Sequence, residues 1–290
     1  MDKYDLLSAS PNRINLYWSE EKQSHLGYVE VVDVMPRLVP VGRTGDVAIV
    51  QGARISYGNT ELRSESADDA LVSYLVEHYH TSPLELASVK FHINCPLYVF
   101  NQLIRHRTAK VNCTSRRYTK IVKDTFYVPA PRLQDDVNKQ GSLDVDVPRE
   151  AVAAYDDLYQ DAANVYAKYA AAVDSGIAKE IARGAMPQNI MTEFVWKSDL
   201  HNFVKMLRLR IHQTAQKEIR DLAIAMSTLV QPMFPAVFAA VERFWTNSIN
   251  FSADEIEIIR KGKDESGNYA EINNKRRKKE FDDKIRLMGM

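Results

Sequence analysis

Residues 105–118 read Arg-His-Arg-Thr-Ala-Lys-Val-Asn-Cys-Thr-Ser-Arg-Arg-Tyr. No other stretch constrains the fold as much. Charged side chains are almost never fully buried unless paired, so the chain must deliver these cations to water or to an anionic ligand. Arginine's planar fork of donors matches phosphate and carboxylate oxygens. Ser115 adds a small hydroxyl at close range, and Tyr118 offers a ring that can stack on a base. Together these groups suit an anionic, aromatic ligand such as a nucleotide. The competing reading is a solvated basic loop, the ordinary fate of a charge run.

The surrounding sequence reads as a globular scaffold. A chain of 290 residues that is 45% hydrophobic can bury a sizeable core, as one large domain or two small ones. The formal net charge is zero, so no global field draws the chain to nucleic acid or membrane. Cys95 and Cys113, the two cysteines, form no CxxC pair, so neither a disulfide framework nor a metal site is expected. No apolar run is long enough to span a bilayer. Asp2, Lys3, Tyr4 and Asp5 lack the basic-then-apolar pattern of a signal peptide. The expected location is the cytoplasm, the host's for a viral chain.

Periodicity then divides the chain. Residues 1–26 are polar and irregular and read as an N-terminal extension. Residues 27–34 alternate as a strand. Residues 46–56 suit a helix capped by Asp46. Residues 66–79 suit an amphipathic helix capped by Ser66, with Asp68 and Asp69 at its positive end. Pro83 stops that pattern in a turn carrying His80 and Glu85, either ligand contacts or a plain helix stop with a surface histidine. Residues 87–94 alternate as a strand, and Pro96 opens a helix over 97–107. Gln102 and Arg105 share a face of it.

Residues 118–130 read as short-strand material and 131–146 as an exposed loop. A long helix covers 148–172, its aromatic stripe suited to core or subunit contact. Residues 177–185 continue helically through Arg183. A strand at 189–196 and a helix at 199–209 lead to Arg210. Ala215-Gln216-Lys217-Glu218-Ile219-Arg220 opens the next helix, and 236–245 form a last packed one. Residues 251–290 are a charged tail, with a basic run at Lys275–Lys279 that suits a solvated helix or loop, or a nucleic-acid contact. No GxGxxG, P-loop, HExxH or GxSxG motif occurs, and neither cysteine has a recognisable base partner.

Four segments carry a family likeness. Arg105-His106-Arg107, seven residues, Ser115, then Arg117-Tyr118 resembles the signature of the flavin-dependent thymidylate synthases. His80-Thr81-Ser82-Pro83-Leu84-Glu85 is similar to that family's segment beside the flavin, with Leu84 for the usual Phe and Leu86 for a common His. Ala182-Arg183 before Pro187, and Arg210 before Ala215–Arg220, resemble two more of its segments. The likeness runs from about Val47 to about Glu242.

The resemblance implies an α+β fold with a mixed or antiparallel sheet and packed helices, in a homotetramer with sites at subunit interfaces. The implied domain spans 27–250. The implied reaction is FAD-dependent reductive methylation of dUMP to dTMP, with methylene-tetrahydrofolate as carbon donor and NADPH as reductant. Gln102, Arg105, Ser115, Arg117, Arg183 and Arg210 would hold dUMP, with Arg210 catalytic against the uracil ring. His80, Glu85, Arg105, His106, Arg107, Asp199 and His201 would hold FAD. Lys110, Cys113, Thr214, Asp199 and His201 depart from the family's usual Ser, Glu, His, Asn and Arg. Other readings of single residues are helix-end cations for His106 and Arg183, and an ion pair for Arg210, for instance with Glu218. Lys110 and Cys113 also suit an enzyme making a different C5-modified pyrimidine. The basic stretches suit a nucleic-acid-binding protein, against which the balanced charge argues.

Overall fold

Val89, Phe91, Ile93 and Cys95 sit at alternate positions of one stretch, and all are fully buried. A period of two makes that stretch a strand with one face in the core. The computed structural model describes residues 3–16, 27–121, 126–136, 139–264, 267, 269–270 and 272–289. Parts of the expected extension (1–2 and 17–26), strand (122–125), loop (137–138) and tail (265–266, 268, 271 and 290) lie outside the described residues.

In chain order the strands are β1 (Tyr4–Leu6), β2 (Arg13–Asn15), β3 (Tyr28–Met35), β4 (Leu38–Pro40), β5 (Ser88–Pro96), β6 (Lys110–Cys113), β7 (Leu133–Gln134), β8 (Ser142–Leu143) and β9 (Met191–Asp199). The α-helices are α1 (Asp46–Arg54), α2 (Glu65–Glu77), α3 (Leu97–Leu103), α4 (Arg149–Asp174), α5 (Lys179–Ala182), α6 (Leu200–Arg210), α7 (Lys217–Val230), α8 (Pro235–Val241), α9 (Ala253–Lys261) and α10 (Lys275–Leu287). Two compact units result, Met1–Val241 and Glu242–Met290.

The first unit is an α+β body around a five-stranded sheet of order β2-β3-β5-β9-β6. Every neighbouring pair in it is antiparallel. Phe91 on β5 stands opposite Trp196 on β9. Phe203 of α6 packs on both rings, with centroids 5.5 and 6.3 Å away. Burying each such ring contributes about 2–3 kcal/mol. The segment expected as an extension supplies β1, which pairs with β4, and β2, which is an edge of the main sheet. Residues 133–143, expected as loop, contain the two-residue pair β7–β8. Tyr169 of α4 joins a small core with Ile121 and Ile190, which accounts for part of the aromatic stripe.

Three expected helix ends differ. Gly45, not Asp46, precedes α1. The Asp46 carboxylate instead accepts from the backbone N–H groups of Ala236 and Val237 at 3.0 and 3.2 Å, and from Thr44 Oγ at 2.9 Å. It therefore caps α8, and burial pushes its pKa up to about 6 against the pull of those donors. Ser64, not Ser66, precedes α2. Asp68 lies in the first turn of α2 as expected, and there it is also buried between Arg43 and Arg54. Helix α3 stops at Leu103, short of the expected Arg107, because His106 N–H bonds the Leu103 carbonyl at 3.1 Å in a tighter turn.

The second unit holds a π-helical turn (Glu242–Thr246), α9 and α10. Ser252 and Glu255 form a capping box on α9. Glu255 is buried and accepts from Lys284 at 2.8 Å. The basic run lies on α10, where Arg276, Arg277 and Lys278 pair with Glu280, Asp254 and Asp282. Among the described residues, no helix is long and apolar enough to cross a membrane.

Candidate active site

Three elements converge at the C-terminal ends of α3 and α6 and the start of α7. Arg210 ends α6 because the helix exhausts its apolar face there: Phe203, Val204, Met206 and Leu207 are buried and the next residues are not. Its Nε donates to His106 Nε2 at 3.0 Å, and a terminal nitrogen donates to the Gln102 carbonyl at 3.1 Å. Burial, then the Arg210 and Lys205 cations, pushes the His106 pKa down to about 4. Its imidazole is thus neutral at pH 7. Burial also lowers the Arg210 pKa. No carboxylate pairs with Arg210 among the described residues, so the expected ion pair with Glu218 is not formed. Glu218 pairs with Arg132 at 2.8 Å instead.

Gln102 lies in the same group. Its Nε2 donates to Gln216 Oε1 at 2.6 Å, and Gln216 Nε2 donates to Glu218 at 2.8 Å. A cavity of about 630 Å³ opens beside this chain, lined by Arg132, Gln216, Lys217 and Arg220 among others. Arg132, Gln216 and Glu218 were not among the expected site residues. Gln216 and Glu218 lay in a recognised segment, but Arg132 sits 86 positions from Glu218 in a stretch that reads as loop.

Ser115, Arg117 and Arg183 form a second group. Thr114 N–H bonds the Glu193 carbonyl at 2.8 Å, and the Arg116 guanidinium donates to the Met191 carbonyl. These bonds pin the loop beside the Pro96–Met191 end of the β5–β9 pair. Arg117 N–H donates to Ser115 Oγ at 3.3 Å, and Arg117 Nε lies 3.8 Å from Glu180. Arg183 Nε donates to the Glu180 carbonyl at 3.3 Å. Arg117 also lines a cavity of about 440 Å³ with Tyr118, Ile177 and Lys179.

Four of the expected flavin residues, His80, Glu85, Asp199 and His201, lie at the opposite end of the pair, where Ser88 faces Asp199, whereas His106 stands with Arg210. Helix α2 ends there in a Schellman turn: His80 N–H bonds the Leu75 carbonyl at 2.8 Å and Tyr79 N–H the Val76 carbonyl at 3.2 Å. Tyr79 takes the left-handed position with φ 57°. The turn folds His80 back so that its ring meets Tyr74 edge-on at 5.9 Å, while Tyr74 stacks on His78 at 4.1 Å. Glu85 follows, exposed on a 3₁₀ turn whose Pro83 and Leu84 are buried. Leu200 N–H bonds the Ala87 carbonyl at 2.9 Å, which brings His201 next to that turn in the chain path. Asp199 caps α6, with both oxygens accepting from Asn202 at 2.8 and 2.9 Å. Arg105 and Arg107 are exposed just before β6. No hydrogen bond or ion pair among the described residues joins the Ser115–Arg183 group to Gln102 or Arg210.

The departures have local consequences. Lys110 and Cys113 are exposed on β6, a strand the sequence did not announce. Cys95 is fully buried, and burial pushes its thiol pKa up, which removes it as a nucleophile. Thr214 Oγ lies 2.8 Å from His212 Nδ1, so an imidazole is present two residues before the position where the family commonly has one.

Comparison with known proteins points to one family. The family described as thymidylate synthase complementing protein matches residues 37–236. A flavin-dependent thymidylate synthase of Dictyostelium discoideum is 38% identical over 291 residues, covering 99% of this chain and 91% of that protein. One from Treponema denticola is 41% identical, covering 81% and 86%. In crystal form, the UMP/dUMP methylase PolB of Streptomyces cacaoi bound with 5-Br dUMP superposes with a TM-score of 0.66 at 26% identity, covering 77% of this chain and 97% of that one.

Proposed function

We infer that this chain, which belongs to the flavin-dependent thymidylate synthase family, methylates dUMP to dTMP with methylene-tetrahydrofolate as carbon donor, FAD as cofactor and NADPH as reductant. The observation that carries the reading is Arg210, a half-buried cation whose neighbours are a neutral imidazole and a backbone carbonyl. Its charge is held in place and left uncancelled. Methylation at C5 draws negative charge onto the uracil carbonyl oxygens, and a preorganised cation there stabilises it. Ser115, Arg117 and Arg183, with Gln102 and Arg105, would bind the rest of the nucleotide, the arginines taking its phosphate.

The expected flavin residues form a donor set that fits a flavin dinucleotide, with His80, Glu85, Asp199 and His201 at the Ser88–Asp199 end. Arg105 and Arg107 are exposed, and neither pairs with a carboxylate among the described residues, which suits a diphosphate. His80, His106, Glu85 and His201 would complete that contact. Asp199 would act chiefly by holding the start of α6. When bound, the reduced flavin supplies the hydride and passes on the one-carbon unit.

The separation of the two groups supports sites completed at subunit interfaces, and the family resemblance implies a homotetramer. Eight residue steps along β5 span about 26 Å at ~3.3 Å per residue. In this reading 27–250 is the catalytic body, 251–290 a charged tail, and the cytoplasm the location. Co-assembly of an Arg117→Ala chain with a His80→Ala chain, each inactive alone, should then restore activity. Arg210→Ala is expected to abolish dTMP formation while thermal unfolding and flavin binding persist. Full turnover by that variant would overturn the role of Arg210.

A further inference from the structure

Glu218 is fully buried, and the chemistry above makes no use of it. Its carboxylate accepts from Arg132 at 2.8 and 3.1 Å and from Gln216 Nε2 at 2.8 Å. An ionised carboxylate only accepts, so it dictates which end of the Gln216 amide faces it. The NH₂ group must point to Glu218, and the carbonyl must point away. That carbonyl meets Gln102 at 2.6 Å and can only accept, so Gln102 must present its own NH₂ there. The Gln102 side-chain oxygen, Oε1, is then left as an acceptor to which no group among the described residues donates. Two amides, each free to flip in isolation, are set in one polarity by a charge two residues away.

We propose that Glu218 is a positioning residue acting through Gln216, and that it makes Gln102 an obligate hydrogen-bond acceptor for the imide N3–H of the pyrimidine. This rests on the dUMP reading above. At neutral pH the nucleotide offers two donors, the ring N3–H and the sugar 3′-hydroxyl. The ring is chosen because the Gln102 backbone carbonyl is held by Arg210, the residue assigned to the ring. A site that presents a fixed acceptor rejects a ligand lacking the matching donor, because the acceptor is left unpaired. The relay would thus select uracil.

The test uses the full FAD-loaded chain and three nucleotides: dUMP, 3-methyl-dUMP and 2′,3′-dideoxy-UMP. Dissociation constants are measured for native protein, Gln216→Met and Glu218→Gln. Gln216→Met matches the glutamine in length and leaves the Arg132–Glu218 pair intact, so it keeps the test open if Glu218→Gln fails to fold. The bulk of the ligand's methyl group is the same in each protein and cancels when ratios are compared. The expected result is that native protein discriminates against 3-methyl-dUMP about tenfold more strongly than Gln216→Met does, the share of one hydrogen bond. Unchanged discrimination, with dUMP still bound, would overturn the relay and leave the substrate assignment standing. A drop confined to the dideoxy nucleotide would overturn the imide assignment. Native protein that binds no dUMP would instead overturn the underlying substrate reading.

Discussion

Arg210 Nε donates to Nε2 of His106 across 3.0 Å. An imidazole that accepts at Nε2 carries its proton on Nδ1, so this bond selects both the neutral state and the tautomer. It also keeps the guanidinium plane fixed while adding no negative charge beside it.

The first prediction is the titration of His106. Its pKa is about 4 in the folded chain and about 6.5 in an unfolded one. Between those values the unfolded state binds more protons, so stability rises with pH. The contribution of this group is therefore fully present above pH ~6.5 and is lost as pH falls through about 4. Ring NMR signals of His106 should titrate near the lower value. The native chain should also lose stability relative to His106→Gln on acidification over this window. A midpoint at the ordinary value would show that the bond to Arg210 does not hold the ring neutral.

Arg210→Lys keeps the charge but not the fork. One ammonium on a flexible stem does not reproduce the planar donors to His106 and the Gln102 carbonyl. Turnover should fall by at least about tenfold, the cost of a misplaced charge-assisted contact, with little change in the melting transition. Turnover near the native value would mean that charge alone is sufficient.

Tyr79 holds φ 57° at the end of α2, a conformation that costs a residue with a Cβ roughly 1–2 kcal/mol. Glycine removes that cost but adds chain entropy to the unfolded state, about 0.4–1 kcal/mol. Tyr79→Gly should therefore stabilise the chain by a net ~0.5–1 kcal/mol in denaturant melts. A destabilised variant would show that contacts of the Tyr79 ring outweigh its backbone strain.

Asp46→Ala leaves the Ala236 and Val237 N–H groups without their acceptor. Losing such a cap costs about 1–2 kcal/mol. The loss should appear as a lower denaturation midpoint. A neutral substitution would mean that water replaces the carboxylate at no cost.

Much of this was legible from residue patterns, and the exceptions share a cause. Strands β3, β5 and β9 announce themselves through alternation, because one face of each is buried. Strand β6 does not, since Lys110, Val111, Asn112 and Cys113 are all exposed and carry no burial signal. Arg105, His106 and Gln102 could be singled out by type and spacing, and Arg210 through the family resemblance of the segment that follows it. Their partners could not, because the Arg132–Glu218 and Asp46–Ala236 contacts join segments 86 and 190 positions apart. Local cap rules named Asp46 and Ser66 for α1 and α2, but Gly45 and Ser64 take those positions, and tertiary packing gives the Asp46 carboxylate to α8.

The most direct test of the central claim is mass analysis of the nucleotide made from dUMP. The purified chain would be incubated with methylene-tetrahydrofolate, FAD and NADPH, and with each of the last two omitted in turn. The account predicts dTMP, formed only when both FAD and NADPH are present. A different C5 adduct, or dUMP recovered unchanged although bound, would contradict it.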